Sequence, residues 1–168
     1  MELPEFRDFI DNVMDKFYKT EADLLDYRTN NETNRMIHEL NISFHIGYII
    51  LCKLKHCDEL KDYKVDAEYN KHGDDIKMSD GKMVRPDIII HKRGTDDNNF
   101  AWIEIKKPGD NAAIEEDRER LRCVTQPGSG FNYNFGALII VGKTPNDRKI
   151  EFYQDGELKC SLCLVSSQ

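Results

Sequence analysis

The stretch "RPDIIIHKRGTDDNNFAWIEIKK", residues 85–107, decides the fold. Two apolar runs, "DIII" and "FAWIEI", flank a polar turn, and Asp87, Glu104 and Lys106 lie within or beside them. Buried strands seldom carry charge without a partner, because desolvating an ionised group is costly. The pattern predicts two strands, 84–91 and 100–107, paired as a hairpin. A loop centred on Thr95–Asp96 sets Asp87 opposite Glu104, and one centred a residue later sets it opposite Lys106. Alternating side chains put Glu104 and Lys106 on one face, and directly opposed residues share a face. Under either register the three groups converge.

Upstream, apolar residues recur near helical spacing from residue 3 to about 27 (Phe6, Ile10, Val13, Phe17, Leu24, Leu25). "RTNNETN" (28–34) is a polar break. A second helix is expected over about 34–56, with an inner stripe of Met36, Ile37, Leu40, Phe44, Gly47, Tyr48, Leu51 and Leu54. "YKVDAEYN" (63–70) alternates as a strand, with Lys64, Asp66, Glu68 and Asn70 on one face. "KHGDDIKMSDGK" reads as a turn-rich connection. Downstream, "PGDN" caps a helix at about 111–125 whose inner face is Ile114, Leu121 and Val124. "FGALIIVG" (135–142) is another strand, and 149–165 reads as a hairpin turning at Asp155–Gly156. The order α-α-β-β-β-α-β-β-β predicts an α/β domain over 1–168, with a central mixed sheet flanked by helices and the helix of 3–27 on or beside the core.

The 168 residues suit one domain with a real core. Hydrophobic residues make up 39% and charged residues 33%, a soluble composition. The longest apolar run, "IGYIILC" (46–52), is too short to span a bilayer. The N-terminus has no basic stretch followed by an apolar one, and five cysteines form no disulfide framework; both point to the cytoplasm. A net charge of -7 argues against a nonspecific nucleic-acid coat protein, though not against a local basic groove or a carboxylate site filled by cations.

Two convergent carboxylates repel each other and resist desolvation, and a divalent cation resolves both problems. Asp87 and Glu104 offer hard oxygens suited to Mg²⁺ or Mn²⁺, and the Ile105 carbonyl could add a ligand. Such a metal activates water and stabilises charge on a phosphate oxygen. Lys106 could orient that water, assist its deprotonation or stabilise developing charge. An ordinary cross-strand ion pair of Lys106 with Asp87 or Glu104 accounts for the same three residues. Pro86, which fixes the chain ahead of Asp87, weighs towards a site.

"RPD", followed sixteen residues later by "IEIKK", resembles the PD-(D/E)xK signature of restriction-endonuclease-like nucleases. More of the chain agrees. "VDAEYNKHGDDIK" (65–77), residues 85–107, "DRERLRCVT" (117–125) and "YNFGALIIV" (133–141) resemble a bacterial family of mostly uncharacterised PD-(D/E)xK-type proteins. The likeness covers roughly residues 25 to 142. It implies the restriction-endonuclease-like fold and a Mg²⁺- or Mn²⁺-dependent nuclease acting on nucleic acid, DNA ahead of RNA. Asp87, Glu104 and Lys106 would be catalytic. The alternative is a non-catalytic nucleic-acid- or protein-binding module that retains the fold. A lone core of this kind borrows its targeting from a homodimer mate or a partner protein.

The resemblance also implies a glutamate from the leading helix. Glu32, in "NNETNRMIHEL", is preferred because it lies four residues before Met36 on the expected inner stripe. The Glu32–His38 spacing is one residue longer than the family's, so Glu39 competes. Glu68 matches the family's "EYN" and shares a face with Asp66, as an added metal ligand or on a wet strand face. His91, Lys92 and Arg93 match "HRRG"; Lys92 and Arg93, with Lys107, are candidate phosphate contacts or soluble turn residues. On the 111–125 helix, Arg118 and Arg122 can pair with Glu115 and Glu119, so that face reads as solvated.

Three other signals are set aside. "VGKT" (141–144) lacks the glycine a P-loop needs at position 137, which is Ala. "CSLC" (160–163) has no second ligand pair for zinc, and the five histidines show no metal spacing.

Overall fold

The computed structural model describes residues 1–25, 39–68, 71–72, 75–76, 78–79, 82–83, 85–95 and 99–163. Isoleucine-rich, β-branched segments form its centre, as expected of strands buried on both faces. They are β6 (Ile88–His91) and β7 (Asn99–Lys106); all of their residues are buried except Lys106, which is partly exposed. The two strands pair antiparallel, Ile88 with Ile103, Ile89 with Trp102 and Ile90 with Ala101, before a bulge sets His91 against Asn99. Continued by one residue, this register sets Asp87 against Glu104, the first of the two alternatives.

Around this hairpin stands a six-stranded sheet. Its order is β1 (Lys64–Ala67), β6, β7, β8 (Phe135–Ile140), β9 (Lys149–Gln154) and β10 (Glu157–Cys163). All neighbours are antiparallel except β7 and β8, which run parallel and are joined by helix α4 (Asn111–Thr125). A parallel pair needs such a crossover. The β9–β10 hairpin turns at Asp155–Gly156, both with positive φ, as Asp-Gly favours. The expected connection after β1 contains two short ribbons, β2 (Lys71–His72) with β3 (Asp75–Ile76) and β4 (Met78–Ser79) with β5 (Lys82–Met83). The architecture is the expected α/β one, a mixed sheet flanked by helices, and agrees with a restriction-endonuclease-like core.

Each face of the sheet has its own core. On one lie α1 (Leu3–Thr20) and α3 (Glu39–Leu54). Phe6 stacks on Phe135 at 4.8 Å between ring centroids, and Ile10, Val13, Met14 and Phe17 continue that buried stripe. Arg148, itself buried, donates to Asp11 and Asp15 of α1. The other face carries α4, packed on Ile89, Trp102, Leu138 and Tyr153. Gly136 lets α4 come close: a Cβ there would stand 3.1 Å from side-chain atoms of Leu121 and Tyr153.

The helices depart from expectation in two places. The first ends at Thr20, and Ala22–Leu25 forms a separate single turn, α2, rather than a continuous helix to 27. In α3 the buried apolar residues are Ile42, Ile46, Ile49, Ile50 and Leu54. The expected inward row of Leu40, Phe44 and Tyr48 is exposed instead. Both faces of this helix are apolar, so periodicity alone could not choose between them; the isoleucine face meets the sheet.

Candidate active site

The geometry begins with the period-two alternation of β7. Trp102, Glu104 and Lys106 project to the face that α4 covers, while Ile103 and Ile105 join the opposite core. Asp87, just ahead of β6, is brought against this row. Its backbone N–H lies 3.4 Å from Glu104 Oε2, and its own Oδ2 accepts from the Ile105 N–H at 2.7 Å. The Lys106 ammonium is 3.9 Å from Asp87 Oδ2 and 3.4 Å from the Ile105 carbonyl oxygen. Thus Asp87, Glu104, Lys106 and the Ile105 carbonyl stand together.

Two further participants come from α4. Asp117 is buried and places Oδ2 3.0 Å from the Lys106 ammonium. Arg120 donates through Nη1 both to Glu104 Oε1 at 2.9 Å and to Asp117 Oδ1 at 2.5 Å. Glu104 Oε1 also accepts from the Trp102 indole N–H at 2.7 Å. The expected solvated face of α4 is therefore only partly right. Arg118 and Arg122 do pair with Glu115 and Glu119, but Arg118 also turns inward onto buried Glu151 and Arg120 turns into the site. Asp117 had left a signal: it sits three residues after Ile114 and four before Leu121, a carboxylate on an otherwise apolar inner stripe.

Of the two upstream glutamates, Glu32 lies outside the described residues. Glu39 opens α3 and reaches the site. Its Oε1 accepts from the Lys107 N–H at 3.2 Å, and its Oε2 is 3.9 Å from the Lys106 ammonium. Glu68 holds its backbone N–H on the Asp87 carbonyl at 3.2 Å, in a left-handed conformation (φ 49°), but its carboxylate pairs with Arg85 at 3.1 Å. Asp66 is occupied by His91, at 2.8 Å, and by Arg93. Lys92 lies over the Tyr63 ring at 5.0 Å. Lys92 and Arg93 follow β6 whereas Asp87 precedes it. At about 3.3 Å per strand residue they stand on the order of 16 Å or more along the chain from Asp87. Lys107 instead lines a cleft beside the site with Leu24, Leu25, Ile42, Pro108, Val141 and Lys143.

Charge sets the character of the cluster. Glu39, Asp87, Glu104 and Asp117 contribute four carboxyl groups and Lys106 and Arg120 two cations, so full ionisation would leave two negative charges in excess. Burial, with Asp117 and Asp87 nearby, pushes the Glu104 carboxyl up to about 8 despite Arg120 and Trp102. Burial likewise raises Asp87, against the Ile105 N–H and Lys106, which favour its charged form. For Lys106, burial works to lower the ammonium's pKa, but Asp117 and Asp87 outweigh it and the net shift is upward. Lys106 is thus a committed ammonium, while burial resists ionisation of Glu104 and Asp87 beside it.

A divalent cation fits this set by charge and by ligand type. The oxygens are hard, full ionisation would leave two negative charges in excess, and the site is dry enough to make that excess costly without a cation. Asp87, Glu104 and the Ile105 carbonyl are the groups that would hold it. Among the described residues, no three His, Cys, Asp or Glu side chains form a ready-made metal cage; the backbone carbonyl would have to complete the set.

No protein-family model and no curated protein matches the chain. Among solved structures it is similar to one described as "cryoEM structure DrdV-DNA complex", at 15% sequence identity and a TM-score of 0.48. That alignment covers 92% of this chain but 12% of the other. Among the described residues, no helix is long and apolar enough to cross a membrane.

Proposed function

We propose that the chain is a Mg²⁺- or Mn²⁺-dependent phosphodiesterase acting on nucleic acid, DNA ahead of RNA. The observation that carries this reading is the convergence of four carboxyl groups, Glu39, Asp87, Glu104 and Asp117, on only two cations, with Glu104 buried among them. The resemblance of residues 85–107 to the PD-(D/E)xK signature supports the same substrate class. A structural ion pair needs no excess charge; a metal site does.

In this reading Asp87, Glu104 and the Ile105 carbonyl hold the cation, which supplies Lewis acidity to a bound water and a phosphate oxygen. Lys106 remains protonated in the metal-free chain. Its part is therefore to orient the attacking water and to neutralise charge on the phosphate, rather than to take the water's proton. Asp117, 3.0 Å away, holds the ammonium in place. Glu39 is the upstream glutamate that approaches the same ammonium. Lys107, on the rim of the neighbouring cleft, is a better placed backbone contact for nucleic acid than Lys92 or Arg93.

The test is cleavage of single- and double-stranded DNA and RNA with Mg²⁺ or Mn²⁺. Asp87→Ala and Lys106→Ala are each expected to lower the rate by about a hundredfold or more. Variants that cut as well as wild type would sink the site assignment. A folded wild type that binds Mn²⁺ yet cuts none of these substrates would instead favour the non-catalytic binding module.

A further inference from the structure

Arg120 poses a problem for any cation at Glu104. Its Nη1 already occupies Glu104 Oε1, so a metal could take both oxygens of this carboxylate only if the arginine gave way. The contact is through one nitrogen, and that nitrogen is shared with Asp117 Oδ1. The guanidinium is also a quarter exposed, whereas both carboxylates are almost fully buried. A one-nitrogen contact at a partly exposed arginine is easier to exchange than a two-pronged one buried on both sides. If Arg120 leaves Glu104, its other anchor remains.

We propose that Arg120 is a built-in counter-cation that a divalent metal displaces from Glu104, with Asp117 keeping the released guanidinium. The proposal rests on the metal-site reading above and adds regulation of that site. Without metal, Arg120 and Lys106 offset part of the repulsion among Asp87, Glu104 and Asp117 and keep the pocket folded. With metal, a divalent charge replaces a monovalent one at Glu104, and Arg120 falls back on Asp117. Asp117 is then a positioning residue for two cations at once, Lys106 through Oδ2 and Arg120 through Oδ1. Metal-free and metal-loaded forms would share one backbone and differ in which cation Glu104 holds.

Calorimetric titration of the full chain with Mn²⁺ at pH 8 tests this, with thermal melts to establish that each variant is folded. Arg120→Gln removes the competitor and should bind Mn²⁺ several-fold more tightly than wild type. Arg120→Lys, which cannot bridge two carboxylates in the same way, should fall between them and serves if the glutamine variant does not fold. Asp117→Asn should weaken Mn²⁺ binding several-fold in the wild-type background, because Arg120 then has only Glu104 to hold. In the Arg120→Gln background the same change should have a clearly smaller effect.

Unchanged or weaker binding by Arg120→Gln would overturn the displacement, leaving Arg120 a partner of Glu104 in both forms. An equal effect of Asp117→Asn in both backgrounds would overturn the handover. Binding by Arg120→Gln alone would be the strongest support, with a wild type blocked by its own arginine. No Mn²⁺ binding by either protein would overturn both this inference and the metal-site reading.

Discussion

Glu104 and Glu151 are neighbours across the sheet with opposite fates. Both align with Leu138 of the strand between them, both are at most 2% exposed, and both meet an arginine of α4. Each also accepts a bond from an aromatic side chain two residues away on its own strand, Trp102 for Glu104 and Tyr153 for Glu151. Yet burial carries Glu104 up to about 8, whereas at Glu151 the bonds from Arg118, Lys149 and Tyr153 overcome burial and bring the carboxyl down to about 2. The difference is in the company. Arg118 grips both oxygens of Glu151, at 2.9 and 2.7 Å, and Lys149 adds a second cation. Glu104 has one nitrogen of one arginine and two carboxylates, Asp87 and Asp117, beside it. The same residue type at the same depth is a completed ion pair at one place and an unfinished site at the other.

Neutralising each glutamate should therefore move stability in opposite directions. Glu151→Gln leaves Arg118 with Glu115 alone and should cost about 2 kcal/mol, less than removing one side of a fully buried pair because Arg118 and Lys149 are partly exposed. Urea unfolding of the metal-free protein at pH 7 measures it; a loss under about 1 kcal/mol would mean that water satisfies the arginine and that the contrast is overstated. Glu104→Gln removes a charge that the fold resists and should stabilise the metal-free protein at pH 8 by about 2 kcal/mol, in the range expected when a badly solvated charge is replaced by a neutral group of similar size. A loss instead of a gain would place Glu104 among the structural carboxylates.

The pH dependence follows from the same two values, with opposite signs. Glu151 is depressed when folded, so its contribution is complete above the ordinary carboxylate value of 4.5 and is lost as pH falls towards 2. Glu104 is raised when folded, so its cost is absent below 4.5 and complete above about 8. The metal-free wild type should gain stability as pH falls from 8 to 5, by roughly 3 kcal/mol, and Glu104→Gln should lose most of that gain. A flat profile in wild type would place the Glu104 carboxyl within the ordinary range.

How much of this contrast is legible in the sequence depends on which residues carry it. The strands around Asp87 and Glu104 are legible because "DIII" and "FAWIEI" are long, β-branched and bounded by turn residues. Two hairpin registers then give the same convergence, so the choice between them did not matter. The inward side of α3 is not legible, since Leu40, Phe44 and Tyr48 are as apolar as the isoleucines that the sheet selects. Asp117 and Arg120 are hidden differently. In "EEDRERLR" charges alternate so densely that a solvated face is the economical reading. Asp117 leaves a trace on the Ile114–Leu121 stripe, but only the docking of α4 on Gly136 and Tyr153 shows that Arg118 and Arg120 also turn inward. Glu151 is equally opaque: as part of "KIEFYQ" it reads as a polar position in a terminal hairpin, and its partner Arg118 is 33 residues away.

The smallest change that sharpens the comparison is at the aromatic donors. Trp102 cannot be altered cleanly, because its indole is fully buried and packs edge-on to Phe131 and Tyr133 as well as donating to Glu104. Tyr153→Phe removes a single hydroxyl, the one that donates to Glu151 Oε2 at 2.8 Å, and leaves the ring in place. Were Glu151 held chiefly by this bond, the variant would unfold about as readily as Glu151→Gln. With Arg118 already on both oxygens and Lys149 behind it, the expected cost is only about 1 kcal/mol. The Glu151 carboxyl should then titrate slightly above its wild-type value, since one of the bonds favouring its charged form is gone. An isotope-edited NMR titration of the glutamate carboxyls separates the outcomes. A small upward shift at Glu151 with Glu104 unmoved would show that the two sites, though aligned across one leucine, are electrostatically independent. A matching shift at Glu104 would instead join them into one network through α4 and make the ion pair part of the site it borders.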